Sequence, residues 1–204
     1  MTPQQGNVYV LSAPSGAGKS TLVRRLLEKL PDLIFSISFT TRPPREGEVN
    51  GEDYFFVDDA TFDAMLAEDG LLEWVQVYKN RYGTGRAWIQ EQRASGRDIL
   101  LDIETVGAKN VKSALPEAIL IFLLPPTAEE LTRRLRGRGT ETEEQLTVRL
   151  QHARHEMEQF PHYDYLVVNE DLEDAYRQLE SIFVAERSRL TRMRPIADHI
   201  LATF

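Results

Sequence analysis

The chain has no cysteine in its 204 residues, which excludes a disulfide framework, a thiolate nucleophile, an iron–sulfur cluster and any cysteine-based zinc site. A long apolar run is also missing. The longest, Ala118 to Leu124, is seven residues and stops at Pro125-Pro126, against the roughly 20 that a membrane-spanning helix needs. The first basic side chain is Lys19, so the amino terminus lacks the basic-then-apolar order of a secretory signal. A protein of a reducing cytoplasm, with no membrane partner, is the expectation. Positive charge is scarce as well: 24 basic against 32 acidic residues give a formal charge of -8, unlike the broad positive field of a nucleic-acid binder. Any anionic ligand must therefore be met by local clusters. With 42% hydrophobic residues and 27% charged, what is present suits one compact domain.

Along the chain, strand and helix signals alternate. Val8 to Leu11 reads as a buried strand, Ser12 to Gly18 as a small-residue loop, and Lys19 to Leu30 as a helix with leucines at helical spacing. The same rhythm returns in Asp98 to Asp102, a helix from about 106 to 114, a strand from Ala118 to Leu124, a helix opening at Glu129, a strand from Tyr165 to Asn169, and a long helix opened by Asp171. Strands alternating with helices imply an α/β fold with a central parallel sheet. Two stretches depart from it. Residues 36–85 carry strand and turn signals: Phe35 to Thr40, the turn Asn50-Gly51, Tyr54 to Val57, Leu71 to Tyr78, and a Gly83-Thr84-Gly85 loop. They read as an inserted mixed β subdomain. Residues 133–158 read as a charged helical hairpin, broken at Gly137 and Gly139 and restarted by Thr140-Glu141-Thr142-Glu143, in effect a mobile lid. The core is then 1–35, 86–132 and 159–204.

The residues Ala13-Pro14-Ser15-Gly16-Ala17-Gly18-Lys19-Ser20 match the phosphate-binding loop pattern except for alanine at its first position. Glycines let successive backbone N–H groups converge on a phosphate, Lys19 neutralises its charge, and Ser20 can reach a magnesium ion. Asp102 and Glu104 share one face at the carboxyl edge of the sheet, where open α/β folds bind ligands. Asp102 is the natural magnesium partner of Ser20, unless the pair serves only as acidic residues at a helix start. Arg42 and Arg45 flank Pro43-Pro44, whose stiff backbone makes a two-pronged anion clamp or a solvated basic turn. Glu73 falls on the face of Leu71, Val75 and Val77, where an unpaired carboxylate is expensive. It needs a partner: the paired N1–H and N2–H of a guanine, or a salt bridge. Arg134, Arg138 and Arg149 lie on either side of the glycine break and could meet a polyphosphate when the hairpin closes, or remain exposed helix charges. His152 and His155 at i,i+3 spacing, with Glu156 beside them, could bind a metal, but a solvated helix face explains them as well.

With these motifs in hand the sequence resembles the guanylate kinases, a family of phosphate-loop nucleoside monophosphate kinases. The resemblance runs from about Val8 to Ala185. It rests on Ser-Gly-Ala-Gly-Lys-Ser-Thr at 15–21, Thr-Thr-Arg-Pro-Pro-Arg-Glu-Gly-Glu at 40–48, Asn-Gly-Glu-Asp-Tyr-Phe-Phe at 50–56 and Gly-Arg-Gly-Thr-Glu-Thr-Glu at 137–143. It implies transfer of the ATP γ-phosphate to GMP, and to dGMP, with magnesium, in purine nucleotide metabolism and GMP recycling. It implies ATP contacts along Ala13 to Thr21 and at Asn169, near the adenine. Arg42, Arg45, Tyr54 and Tyr82 would hold the GMP phosphate, and Ser38, Glu73, Thr84 and Glu104, with Asp102 close by, would surround the guanine. Lys19, Arg42, Arg134, Arg138 and Arg149 would act on the transferring phosphates. Neither the oligomeric state nor the basic tail after Arg187 follows from it. Two rivals stand beside this reading: a non-catalytic module binding an acidic segment in the GMP groove, and a phosphate-loop kinase acting on a sugar phosphate.

Overall fold

The computed structural model describes residues 5–137 and 142–204. Five parallel strands, β1 (Val8–Ser12), β2 (Leu33–Phe35), β7 (Asp98–Asp102), β8 (Ile119–Leu124) and β9 (Tyr165–Val168), lie in the order β2-β7-β1-β8-β9. The apolar runs of β1, β7 and β8 are buried on both faces, as a parallel sheet between helix layers requires, whereas the edge strand β9 buries Val167 and leaves Leu166 and Val168 exposed. On one face α1 (Lys19–Lys29) and α7 (Leu172–Arg187) bring Leu22, Leu26, Leu179 and Phe183 against Tyr9, Leu11, Ile121 and Leu123. On the other face, Ile89 of α3 (Arg86–Ala94) and Ala108 and Val111 of α4 (Thr105–Ala114) cover Val8, Val10, Ile99, Leu101 and Leu120.

A second sheet is mixed, in the order β4-β3-β6-β5, from β3 (Phe39–Thr40), β4 (Phe55–Phe56), β5 (Leu71–Val77) and β6 (Asn80–Gly85). Three expectations are corrected here. The run Phe35 to Thr40 is two strands in two different sheets: Phe35 pairs with Leu100, whereas Phe39 pairs with Gly83. Gly83, Thr84 and Gly85 are strand residues of β6 rather than a loop, paired with Trp74, Glu73 and Leu71. The insert also holds a helix, α2 (Asp59–Ala67), capped by the Asp58 carboxylate on the Thr61 N–H at 2.8 Å.

Helices α5 (Ala128–Arg136) and α6 (Glu143–Met157) pack on each other through Leu131, Leu135, Leu146 and Ala153. The restart signal resolves to one cap, a capping box of Thr142 and Gln145; Thr140 and Glu141 lie outside the described residues. After α7, a further helix, α8 (Leu190–Leu201), ends the chain.

The basic tail has a structural role at the amino-terminal edge of the sheet. Asp98, 1% exposed, accepts from the Asn7 N–H at 2.8 Å, Arg187 Nε at 2.7 Å and Arg192 Nη1 at 3.0 Å. Removing one member of such a group strands the others away from water. Asp98→Ala is expected to destabilise the fold by about 3 kcal/mol, read as a lowered denaturation midpoint at unchanged slope. A midpoint equal to the parent's would refute that role.

Candidate active site

The loop after β1 wraps at two glycines, Gly16 and Gly18, both with φ of +92°, a region that only glycine enters cheaply. Ala13, where the pattern has its first glycine, is not among the positive-φ residues, so the substitution costs no backbone strain. The loop is fixed from behind. Asn169, just past β9, donates its side-chain amide to the Ala17 carbonyl at 2.7 Å, and a Cβ on Gly18 would stand 2.4 Å from that amide nitrogen. Asn169, which the resemblance places near the adenine, is buried, and its side-chain amide holds the loop.

Two arginines of the α5–α6 pair converge on the same loop. Arg134 of α5 donates to the carbonyls of Asn169 (3.0 Å) and Ala17 (3.5 Å), with its Nε on Glu130 at 2.7 Å. Arg149 of α6 donates to the Ser15 hydroxyl at 3.1 Å. Arg138 lies outside the described residues. Residues 13–21 line a cavity of about 290 Å³, walled also by Glu104 and Glu156. Glu156, which stands beside His152 and His155 in the sequence, lines the phosphate-loop cavity. It is a carboxylate of α6 whose pKa burial raises, with Glu104 pushing in the same direction. His152 and His155 are exposed on α6, with His155 Nδ1 3.8 Å from Glu158.

Lys19 forms an ion pair with Asp102 at the carboxyl end of β7. Asp102 and Ser20 line a cavity of about 460 Å³ on the side of α1. Their donors, a carboxylate and a hydroxyl, suit a hard cation that takes its remaining ligands from water and phosphate oxygens. A magnesium ion therefore fits these residues.

A third cavity, of about 250 Å³, opens between the two sheets. Ser38, Tyr54, Glu73, Val75, Val77 and Tyr82 form one side, and Lys19, Asp102, Ile103, Glu104 and Gly107 the other. Thr84, fully buried, donates its hydroxyl to Glu73 Oε1 at 2.7 Å. Glu73 Oε2 is buried without a hydrogen-bond partner. Glu73 is 6% exposed, and burial lifts its carboxyl to about 7, the Thr84 hydroxyl offsetting part of the rise. No cation pairs with it among the described residues, so the salt-bridge alternative falls away. A register shift between Leu71 and Glu73 explains why Val75 and Val77 share its cavity while Leu71 does not.

At the mouth, the Arg42 guanidinium lies over Tyr54 and Phe56, 5.4 and 5.6 Å from the ring centroids. It meets Glu48 Oε1 and Oε2 at 2.8 and 2.9 Å, and this bond raises the arginine's pKa further. Glu48 Oε2 also accepts from the Arg45 N–H at 2.7 Å, while the Arg45 residue is exposed. The two prongs are thus joined by a carboxylate that the sequence reading passes over. A glutamate three residues beyond Arg45, closing a turn with its N–H on the Arg45 carbonyl at 3.1 Å, was the available signal.

The guanylate kinase family model matches residues 5–186. The chain is 49% identical to the guanylate kinase of Syntrophotalea carbinolica over 197 residues, covering 97% of this chain and 94% of that protein. It is 46% identical to that of Escherichia coli K12, with 97% of each chain covered. The crystal structure of guanylate kinase from Anaplasma phagocytophilum superimposes with a TM-score of 0.76 at 32% identity, over 94% of this chain and 91% of the other. A phosphate loop facing a carboxylate-lined cavity across Lys19, on this fold and with these relatives, means that the chain belongs to the guanylate kinase family.

Proposed function

We propose that the chain transfers the γ-phosphoryl group of ATP to GMP, with residues 36–85 as the acceptor subdomain, 133–158 as a lid and the rest as the core. One observation carries the reading: Lys19 and Glu104 wall both the phosphate-loop cavity and the Glu73 cavity, so a donor in one faces an acceptor in the other. The acceptor's nucleophile is already an anionic phosphate oxygen, and no general base is required. Catalysis is then positioning and charge neutralisation. Lys19 and the loop N–H groups hold the donor phosphates, and Arg134 and Arg149 meet them from the lid. Arg42, Arg45, Tyr54 and Tyr82 take the acceptor phosphate, while Ser38, Glu73 and Thr84 read the guanine, the unpartnered Oε2 accepting one N–H. Asn169 serves ATP through the loop that it holds. Magnesium, held by Ser20 and Asp102 directly or through water, supplies charge neutralisation on the polyphosphate. The acceptor dGMP shares both parts that these residues reach, base and phosphate, and is accepted too. The enzyme would return GMP to GDP in purine nucleotide metabolism.

The test is ADP release from ATP and magnesium with GMP, dGMP, AMP, CMP and UMP offered separately, beside a chelator control. Turnover confined to the guanine nucleotides and lost on chelation is expected. Silence with every acceptor would turn the reading into a binding module, and turnover with AMP equal to that with GMP would remove Glu73's role.

A further inference from the structure

Glycine at position 107 is unexpected on local grounds. It occupies the first turn of α4 and is buried, its φ is not among the positive values, and glycine inside a helix costs about 1 kcal/mol relative to alanine. Backbone conformation therefore does not require it. Space does: a Cβ built there would lie 3.2 Å from Glu73 Oε2 and 3.3 Å from Ile103 Cδ1. Both contacts are tighter than side chains normally make. The helix cannot simply move away, because it packs along β5 and Asn110 of α4 donates to the Trp74 carbonyl at 3.1 Å, one residue from Glu73. The other carboxylate oxygen is fixed by Thr84 at 2.7 Å. A methyl group at 107 would be relieved chiefly by turning the free oxygen Oε2.

We propose that Gly107 is a specificity-determining residue for the nucleotide acceptor: its missing side chain keeps Glu73 Oε2 open and aimed into the cavity between the sheets. The assignment rests on the reading of Glu73 as the guanine acceptor, and it adds a residue on the opposite wall that acts through that carboxylate. Gly107 is a positioning residue in this scheme, since Oε2 is the atom that meets the base. Ile103 is the other half of the fit, because its Cδ1 closes the space into which a methyl could otherwise lean.

The experiment is steady-state kinetics of the full chain carrying Gly107→Ala, with GMP and ATP varied in turn, in the parent and in a Glu73→Gln background. Losing one hydrogen bond to a charged group corresponds to roughly tenfold or more in affinity, so KM for GMP is expected to rise about tenfold. KM for ATP stays within about twofold, since the phosphate loop is untouched. In the Glu73→Gln background the same substitution changes KM for GMP by less than about threefold, because a coupled pair is not additive. Adding Ile103→Val, which removes Cδ1, restores most of the GMP affinity, and this double variant carries the test if Gly107→Ala alone fails to fold. An unchanged KM for GMP, a parallel rise in both KM values, an undiminished effect in the Glu73→Gln background, or no rescue by Ile103→Val overturns the proposal. Parent turnover is measured first: a parent that ignores GMP overturns the parent reading as well, whereas a parent that uses GMP beside an unaffected Gly107→Ala overturns this one alone.

Discussion

Lys19→Ala is expected to lower kcat by about a thousandfold while leaving the chain folded. The lysine is the one cation on the wall common to both cavities among the described residues, and its ammonium pairs with Asp102 where the donor and acceptor phosphates would meet. Removing it takes away charge neutralisation in the transition state, a loss that falls on kcat rather than on KM alone. Stability should fall only modestly, because Asp102 lines two open cavities and regains water when the lysine is truncated, so no charge is left sealed in the interior. Circular dichroism and the thermal midpoint report the fold; single-turnover kinetics report the chemical step. Near-parent single-turnover rates would remove Lys19 from the mechanism. Arg45→Ala makes the useful companion. Arg45 holds Glu48 through its backbone N–H, so truncating its side chain leaves the turn intact, and the effect should appear as a raised KM for GMP.

Glu73→Gln is expected to raise KM for GMP about a hundredfold and leave KM for ATP nearly unchanged. A carboxamide offers one acceptor where the carboxylate offers two, and its NH2 group faces the donor edge of the base. An unpaired buried donor is costly. The parent enzyme should also carry a pH signature. With the free-enzyme carboxyl near 7, the form able to accept two N–H groups is depleted as the pH falls, so KM for GMP should rise about tenfold from pH 8 to pH 6. Donors on the bound base favour the charged form, and GMP should therefore lower that pKa.

The same carboxyl makes stability depend on pH without nucleotide. Its folded pKa lies above its ordinary value of 4.5, so between about 4.5 and 7 the folded state binds the proton that the unfolded chain has lost. Stability must then decrease as the pH rises through that window, by up to about 3 kcal/mol. Glu73→Gln should flatten that slope. A slope identical in parent and variant, together with a KM for GMP that ignores pH, would mean that the cavity is open enough for Glu73 to titrate normally.

What could be read from the residues divides along one physical line. The core strands and the loop after β1 are written in continuous apolar runs and closely spaced glycines, signals that depend only on neighbours in the chain. The strand ends lie within a residue or two of expectation, with Val8–Ser12, Asp98–Asp102 and Ile119–Leu124 as the clearest. The insert is harder because partners decide it. Phe35 to Thr40 is uniformly strand-like, but Ser36 gives its N–H to the Leu100 carbonyl at 3.0 Å and the chain then leaves one sheet for the other. Helix α2 buries only Phe62, too little to write a periodic stripe. The site divides in the same way. Lys19, Ser20 and Asp102 belong to patterns, and Glu73 betrayed itself as a charge on an apolar face. Glu48 and Gly107 acquire meaning only from residues far along the chain, or from a turn that has to close.

The two sheets share no strand and no ladder pairing among the described residues, and the chain passes between them only near 36–38 and at the start of α3. On the proposed reading, the acceptor half is then a cassette carried by the donor half. Lineages or designers could exchange residues 36–85 for another acceptor reader and keep ATP chemistry intact, because nothing in the phosphate loop is built from them. The exception is the face of α4 around Gly107, which belongs to the donor half in sequence and to the base-reading wall in space. A transplanted cassette would have to bring its own version of that helix face, and a graft that ignores it should retain phosphate chemistry while losing its choice of base.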